Sequence, residues 1–92
     1  MAPLLIASQN GHAEAVKSLL EGGAAVDKAR NDGRTPLHIA SQNGHVEAIK
    51  ALLEGGADIS KITDGGHTAR SVATDPEIIS MIDLAALTQH TH

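Results

Sequence analysis

The six histidines are the residues of this chain best suited to chemistry, because imidazole binds metals and moves protons near neutral pH. Their positions speak against one shared centre. His12 and His45 each follow a glycine, Gly11 and Gly44, and they occupy the same place in two similar segments, where closing a turn is the expected role. His38 lies three residues after Thr35, a reach at which hydroxyl and imidazole can hydrogen-bond and fix the start of a helix. Neither a cysteine nor a suitably spaced acid stands beside it, so no nucleophile triad assembles there. His90-Thr91-His92, if extended, would place alternate residues on one side and could hold a divalent ion, but a frayed tail over 88–92 is the simpler expectation. Equivalent histidines form a row and do not converge, which leaves a histidine-metal hydrolase as the weakest functional reading.

Other residue types add little chemistry. Gly22-Gly23 and Gly55-Gly56 lack the Gly-Lys-Ser/Thr ending and the preceding strand of a phosphate-binding loop, and they read as helix-ending loops. Asp32, Asp58, Asp64 and Asp75 fall among turns and caps, where aspartate is favoured for backbone reasons. No paired general acid and base emerges, and no cofactor is implied.

Composition narrows the remaining classes. The chain has 92 residues, 41% of them hydrophobic but none aromatic, so a single small domain must build its core from Leu, Ile, Val and Ala. With 11 acidic against 7 basic side chains the formal charge is -4, and the basic patches and stacking aromatics of nucleic-acid binders are missing. The absence of cysteine removes a disulfide framework and favours an intracellular, cytoplasmic setting. The apolar start, Met1-Ala-Pro-Leu-Leu-Ile-Ala7, has no charged leader and is not read as a signal peptide. No apolar run approaches the roughly 18–20 residues of a membrane span, so no membrane partner is expected.

The elements that must position these residues come from an internal repeat. Pro3-Leu4-Leu5-Ile6-Ala7-Ser8-Gln9-Asn10-Gly11-His12 returns as Pro36-Leu37-His38-Ile39-Ala40-Ser41-Gln42-Asn43-Gly44-His45. Leu19-Leu20-Glu21-Gly22-Gly23-Ala24 returns as Leu52-Leu53-Glu54-Gly55-Gly56-Ala57 at the same offset of about 33 residues. A third copy starts in register, with Gly66, Thr68, Val72 and Ala73 matching Gly33, Thr35, Ile39 and Ala40. Its second half, Glu77-Ile78-Ile79 and Ile82, matches Glu47-Ala48-Ile49 and Leu52 only at an offset of about 30, so a connecting loop has lost about three residues.

Local physics gives each unit its shape. After the turn-forming Asn31-Asp32-Gly33, Thr35 can cap a short helix whose first position is Pro36 and whose end is Asn43-Gly44. A second helix places Val46, Ile49, Leu52 and Leu53 on one face and turns Glu47, Lys50 and Glu54 to water, until Gly55-Gly56 stops it. One such hairpin cannot bury its apolar face alone, and stacking neighbours makes the core continuous.

Gly33-Arg34-Thr35-Pro36-Leu37-His38-Ile39-Ala40, with Gly44-His45, Leu52-Leu53 and Gly56-Ala57-Asp58, closely resembles the ankyrin repeat. The resemblance implies an all-α solenoid of stacked helix-turn-helix units with short hairpin loops: residues 1–28 as a first repeat lacking its hairpin, 29–61 as a full repeat, and 62–87 as a shortened C-terminal capping repeat. It also implies a non-catalytic scaffold that binds a partner protein through hairpin tips and the exposed ends of the first helices. Carried over residue by residue, the tip contacts are Asn31, Asp32 and Arg34, then Asp64, Gly65 and His67. The helix contacts are Gln9 and Asn10, then Gln42 and Asn43.

Departures from the pattern concern the ends. Leu5 replaces the family's histidine, and Leu4, Leu5 and Ile6 leave the first repeat without a polar outer face, which predicts self-association or a place within a longer array. Ala69, Arg70 and Ser71 stand in place of Pro36, Leu37 and His38, and the charge at Arg70 predicts a capped end.

Overall fold

The computed structural model describes residues 2–89. These contain six helices and, among the described residues, no strand: α1 (Pro3–Asn10), α2 (Ala13–Glu21), α3 (Pro36–Gln42), α4 (Val46–Glu54), α5 (Ala69–Val72) and α6 (Pro76–Gln89). Consecutive helices pair as α1 with α2, α3 with α4 and α5 with α6. The pairs stack so that α3 lies between α1 and α5, and α4 between α2 and α6. This is the expected all-α solenoid, with one layer of short helices and one of longer helices.

Capping explains where the short helices begin. Thr35 has an extended backbone, and its Oγ1 accepts from the His38 backbone N–H at 3.3 Å while the His38 ring accepts from the Thr35 N–H at 3.1 Å. Two otherwise unpaired donors are thereby satisfied at the first turn. Thr68 repeats half of this device at α5, its Oγ1 accepting from the Ser71 N–H. Ala2, at the same place before α1, has no hydroxyl to offer.

The core is aliphatic throughout. Leu4, Val16, Leu37, Ile49, Leu52, Ile78 and Ile82 are buried with Ala40, Ala48, Ala51, Ala57 and Ala69 between them, so small side chains let the layers approach. Each fully buried Leu or Ile contributes about 1.5–3 kcal/mol against exposure. Glu47, Lys50 and Glu54 face water, as the helical spacing predicts.

The hairpins are closed by backbone bonds, Arg30 N–H to the Arg34 carbonyl and Thr63 N–H to the His67 carbonyl, both 2.9 Å. The Asp64 N–H donates to the Asp32 carbonyl at 2.9 Å and joins one tip to the next. In the third unit α5 has only four residues and ends in extended backbone at Ala73. Burial of Ile78 and Ile82 matches that of Ala48 and Leu52 and shows where the lost residues came out.

Both ends carry details that the local sequence does not show. Leu4 and Leu5 are both 3% exposed, and of the three leading apolar residues only Ile6, at 44%, stays in solvent. The reason is that Leu5 lies beside Ala29, Arg30, Asn31 and Asp32, so the hairpin of the second repeat shelters it in the absence of a histidine. At the other end, Thr88 and Gln89 belong to α6 and not to a tail. Gln89 Nε2 donates to the Ala57 carbonyl at 2.9 Å and Gln89 Oε1 accepts from the Ile59 N–H at 3.3 Å, which holds the last turn. The proposed His90–His92 metal site lies outside the described residues.

Candidate protein-binding face

A depression of about 430 Å³ opens between the hairpin tips and the short helices. Asp32, Arg34, His38 and Gln42 line it from the second repeat, and Thr63, Asp64, Gly65, His67 and Val72 from the third. Six of the residues named from sequence therefore meet at one place: Asp32, Arg34, Gln42, Asp64, Gly65 and His67.

Arg34 is the organising side chain. Its Nη1 donates to Gln42 Oε1 at 3.1 Å, and its Nε lies 3.2 Å from Asp32 Oδ2. Asp32 Oδ1 also accepts the Arg34 backbone N–H at 3.1 Å, with Arg30 Nε at 3.8 Å. The Arg34 backbone bond, followed by the Arg30 and Arg34 charges, holds the Asp32 carboxyl below the usual carboxylate range. Tip and helix are thus tied together by the Arg34 side chain.

The other four residues sit apart. Asn31 lines a second depression of about 410 Å³ with Ala2, Leu5, Lys28, Ala29, Arg30 and Asp32. Asn43 Nδ2 donates to the Gln9 carbonyl at 3.2 Å, so its amide joins the second repeat to the first. Gln9 and Asn10 are exposed at the end of α1. Sequence reasoning missed Thr63, Val72, Lys28 and Arg30 as lining residues. A signal existed for Val72, the third-copy equivalent of Ile39, which loses its cover where α5 is cut short.

His38 is the residue most like a catalytic group, and its bonds are already committed. Nδ1 accepts from the Thr35 N–H and from Thr35 Oγ1–H at 2.8 Å, which requires the neutral tautomer with its proton on Nε2. That proton is donated to the His67 carbonyl oxygen at 2.9 Å. Burial pushes the imidazole below its ordinary value, and the His67 carbonyl only partly offsets this. Thr35 and His38 have the separation of a nucleophile and a base, but both are 2% exposed and the far nitrogen meets a carbonyl instead of an orienting acid. Among the described residues no group of three or more metal-ligating side chains converges.

A family model for ankyrin repeats, in three copies, matches residues 1–74. The chain belongs to the ankyrin-repeat family. No curated protein matches it. Ankyrin repeats generally mediate protein–protein interaction and are typically non-enzymatic. In this ankyrin chain the Thr35–His38 pair therefore reads as a structural lock between repeats. No described helix is long and apolar enough to cross a membrane.

Proposed function

We propose that this ankyrin chain is a non-catalytic module that binds a partner protein on the face between its hairpin tips and short helices. Asp32, Arg34, Gln42, Asp64 and His67 are the central contacts, with Gln9, Asn10, Asn31 and Asn43 at the margin. The observation that carries the reading is the pre-tied set of Arg34, Gln42 and Asp32 on the wall of an open depression. The surface offers the carboxylates of Asp32 and Asp64, a guanidinium, an imidazole and neutral amides, so partner contacts are hydrogen-bonded and short-ranged. The cysteine-free composition agrees with an intracellular setting.

The test compares three versions in affinity capture from a native lysate, after circular dichroism shows equal helicity. These are the parent, the triple variant Arg34→Ala, Gln42→Ala, His67→Ala, and a back-face control, Glu47→Ala with Lys50→Ala. Partners retained by parent and control but lost by the triple variant support the reading. Identical capture by all three versions removes it.

A further inference from the structure

The Gln9 carbonyl, near the end of α1, is closed by the repeat that follows it. Asn43 Nδ2 donates to it at 3.2 Å and His45 Nε2 at 2.9 Å, so two donors converge on one oxygen that its own helix cannot serve. Gln42 holds the same place at the end of α3, and its carbonyl needs the same service from the third repeat. The contracted third copy does not supply it. In its register Asn43, Gly44 and His45 become Ala73, Thr74 and Asp75, and the Asp75 carboxylate already accepts from the Glu77 N–H at 2.9 Å. Among the described residues, no donor of the third repeat is bonded to the Gln42 carbonyl.

The same contraction ends α5 at Val72, and the half-buried Val72 lines the depression of about 430 Å³ together with Gln42. The Arg34 guanidinium on this wall is engaged with Asp32 and with Gln42 Oε1. The Asp64 carboxylate is exposed and has no hydrogen bond or ion pair with any described residue. One wall therefore combines an unmet carbonyl, an uncompensated carboxylate and an aliphatic surface.

We propose that this notch takes an arginine side chain from an extended segment of the partner. The proposal rests on the reading of this face as the partner-binding one and names the chemistry of the occupant. A guanidinium carries five donors and no acceptor, in a planar fork that offers adjacent N–H groups where Asn43 and His45 supply two at Gln9. Its aliphatic stem suits Val72, and its charge suits Asp64. The formal charge of -4 adds a long-range attraction for a basic partner. A partner carboxylate would meet only further acceptors at Gln42 and Asp64, and a large apolar side chain would cover the carbonyl without pairing it.

The test titrates the full chain with acetyl-Ala-Arg-Ala-amide and with its lysine and norleucine counterparts, read by NMR at the Gln42 carbonyl carbon and the Val72 methyls. The result expected is saturable binding of the arginine peptide at least about tenfold tighter than either counterpart, with both probes shifting together. Asp64→Asn weakens it about two- to fivefold and leaves the melting point nearly unchanged. Replacing residues 73–75 by a copy of residues 40–45 restores the lost length and brings an asparagine and a histidine to Gln42, after which the arginine peptide no longer shifts the Gln42 carbon. If that chain does not fold, the peptide series and Asp64→Asn decide. Equal affinity for the lysine peptide reduces the notch to a plain charge site, equal affinity for norleucine reduces it to an apolar one, and no saturable binding removes it; each overturns the proposal. Capture by the Arg34, Gln42 and His67 variant is a separate readout. Partners lost there, with no arginine preference here, leave the binding face standing and remove only its proposed occupant.

Discussion

The buried imidazole of His38 donates from Nε2 to the His67 carbonyl at 2.9 Å, so a helix start in one repeat holds the hairpin of the next. The same ring receives two bonds from Thr35 at its other nitrogen. One neutral side chain therefore serves as cap, spacer and inter-repeat link. A proton added at Nδ1 would face the Thr35 N–H and break both functions.

That arrangement sets a pH dependence. Burial lowers the folded-state value of His38 below its ordinary 6.5, so between the two values the unfolded chain binds more protons than the folded one. The contribution of His38 is fully present above pH 6.5 and is lost as pH falls from there through the folded value. Melting points measured from pH 7.5 down to 5 should fall steadily, and His38→Gln should start lower and show a flatter profile. An equal slope in the variant assigns the effect to another group.

The stacking of the first two repeats predicts unequal costs at equivalent glycines. Gly11 and Gly44 both take left-handed backbone, with φ of 71° and 74°, so alanine at either position pays about 1–2 kcal/mol of strain. Only at Gly11 does the new Cβ also collide with the His45 ring; at Gly44 nothing stands within 4 Å. Gly11→Ala should be the more destabilising by a further ~1–3 kcal/mol, read from urea melts of the two variants. Equal losses would show that the ring swings aside freely.

Ser8 and Ser41 occupy the same position in successive repeats, both with 0% exposure, and neither hydroxyl has a hydrogen-bond partner among the described residues. A buried polar group left unpaired is a cost, and alanine removes it while favouring the helix. Ser8→Ala and Ser41→Ala should each raise stability by up to about 1 kcal/mol in chemical denaturation. A loss in either variant means that hydroxyl is paired.

The repeat, its helix boundaries and the Thr35–His38 cap were legible because each is written locally, in spacing, in a hydroxyl three residues before an imidazole, and in glycine at the ends. The tip residues Asp32, Arg34, Asp64 and His67 were legible for the same reason, as turn positions at a fixed offset. Long-range pairings were not. Nothing near Asn43 in sequence says that its amide turns back to Gln9, 34 residues away, and nothing near Leu5 says that the next hairpin shelters it. Arg70 was read as a charge capping the end, yet its partner Asp83, at 2.7 Å, comes from the other helix of the pair, and Leu84 and Leu87 beyond it stay about two-thirds exposed.

Gln89 is the sharpest of these long-range pairings. It closes the last turn of α6 with two bonds, to the Ala57 carbonyl and from the Ile59 N–H, on a loop that begins with the fully buried Ala57. Removing its amide leaves a carbonyl and an N–H at the edge of the core without protein partners, which costs about 1–3 kcal/mol if water cannot enter and less if it can. Gln89→Ala should therefore lower stability by ~1 kcal/mol and speed amide exchange at Ile59 before it affects α3 or α4. Gln89→Glu separates the two bonds: a carboxylate still accepts from Ile59 but repels the Ala57 carbonyl. It should recover the protection of Ile59 with a smaller gain in stability, and recovery again as pH is lowered and the carboxyl regains a proton to donate. If both variants exchange like the parent at Ile59, the last turn of α6 does not hold the loop, and the end of the solenoid rests on Ile78 and Ile82 alone.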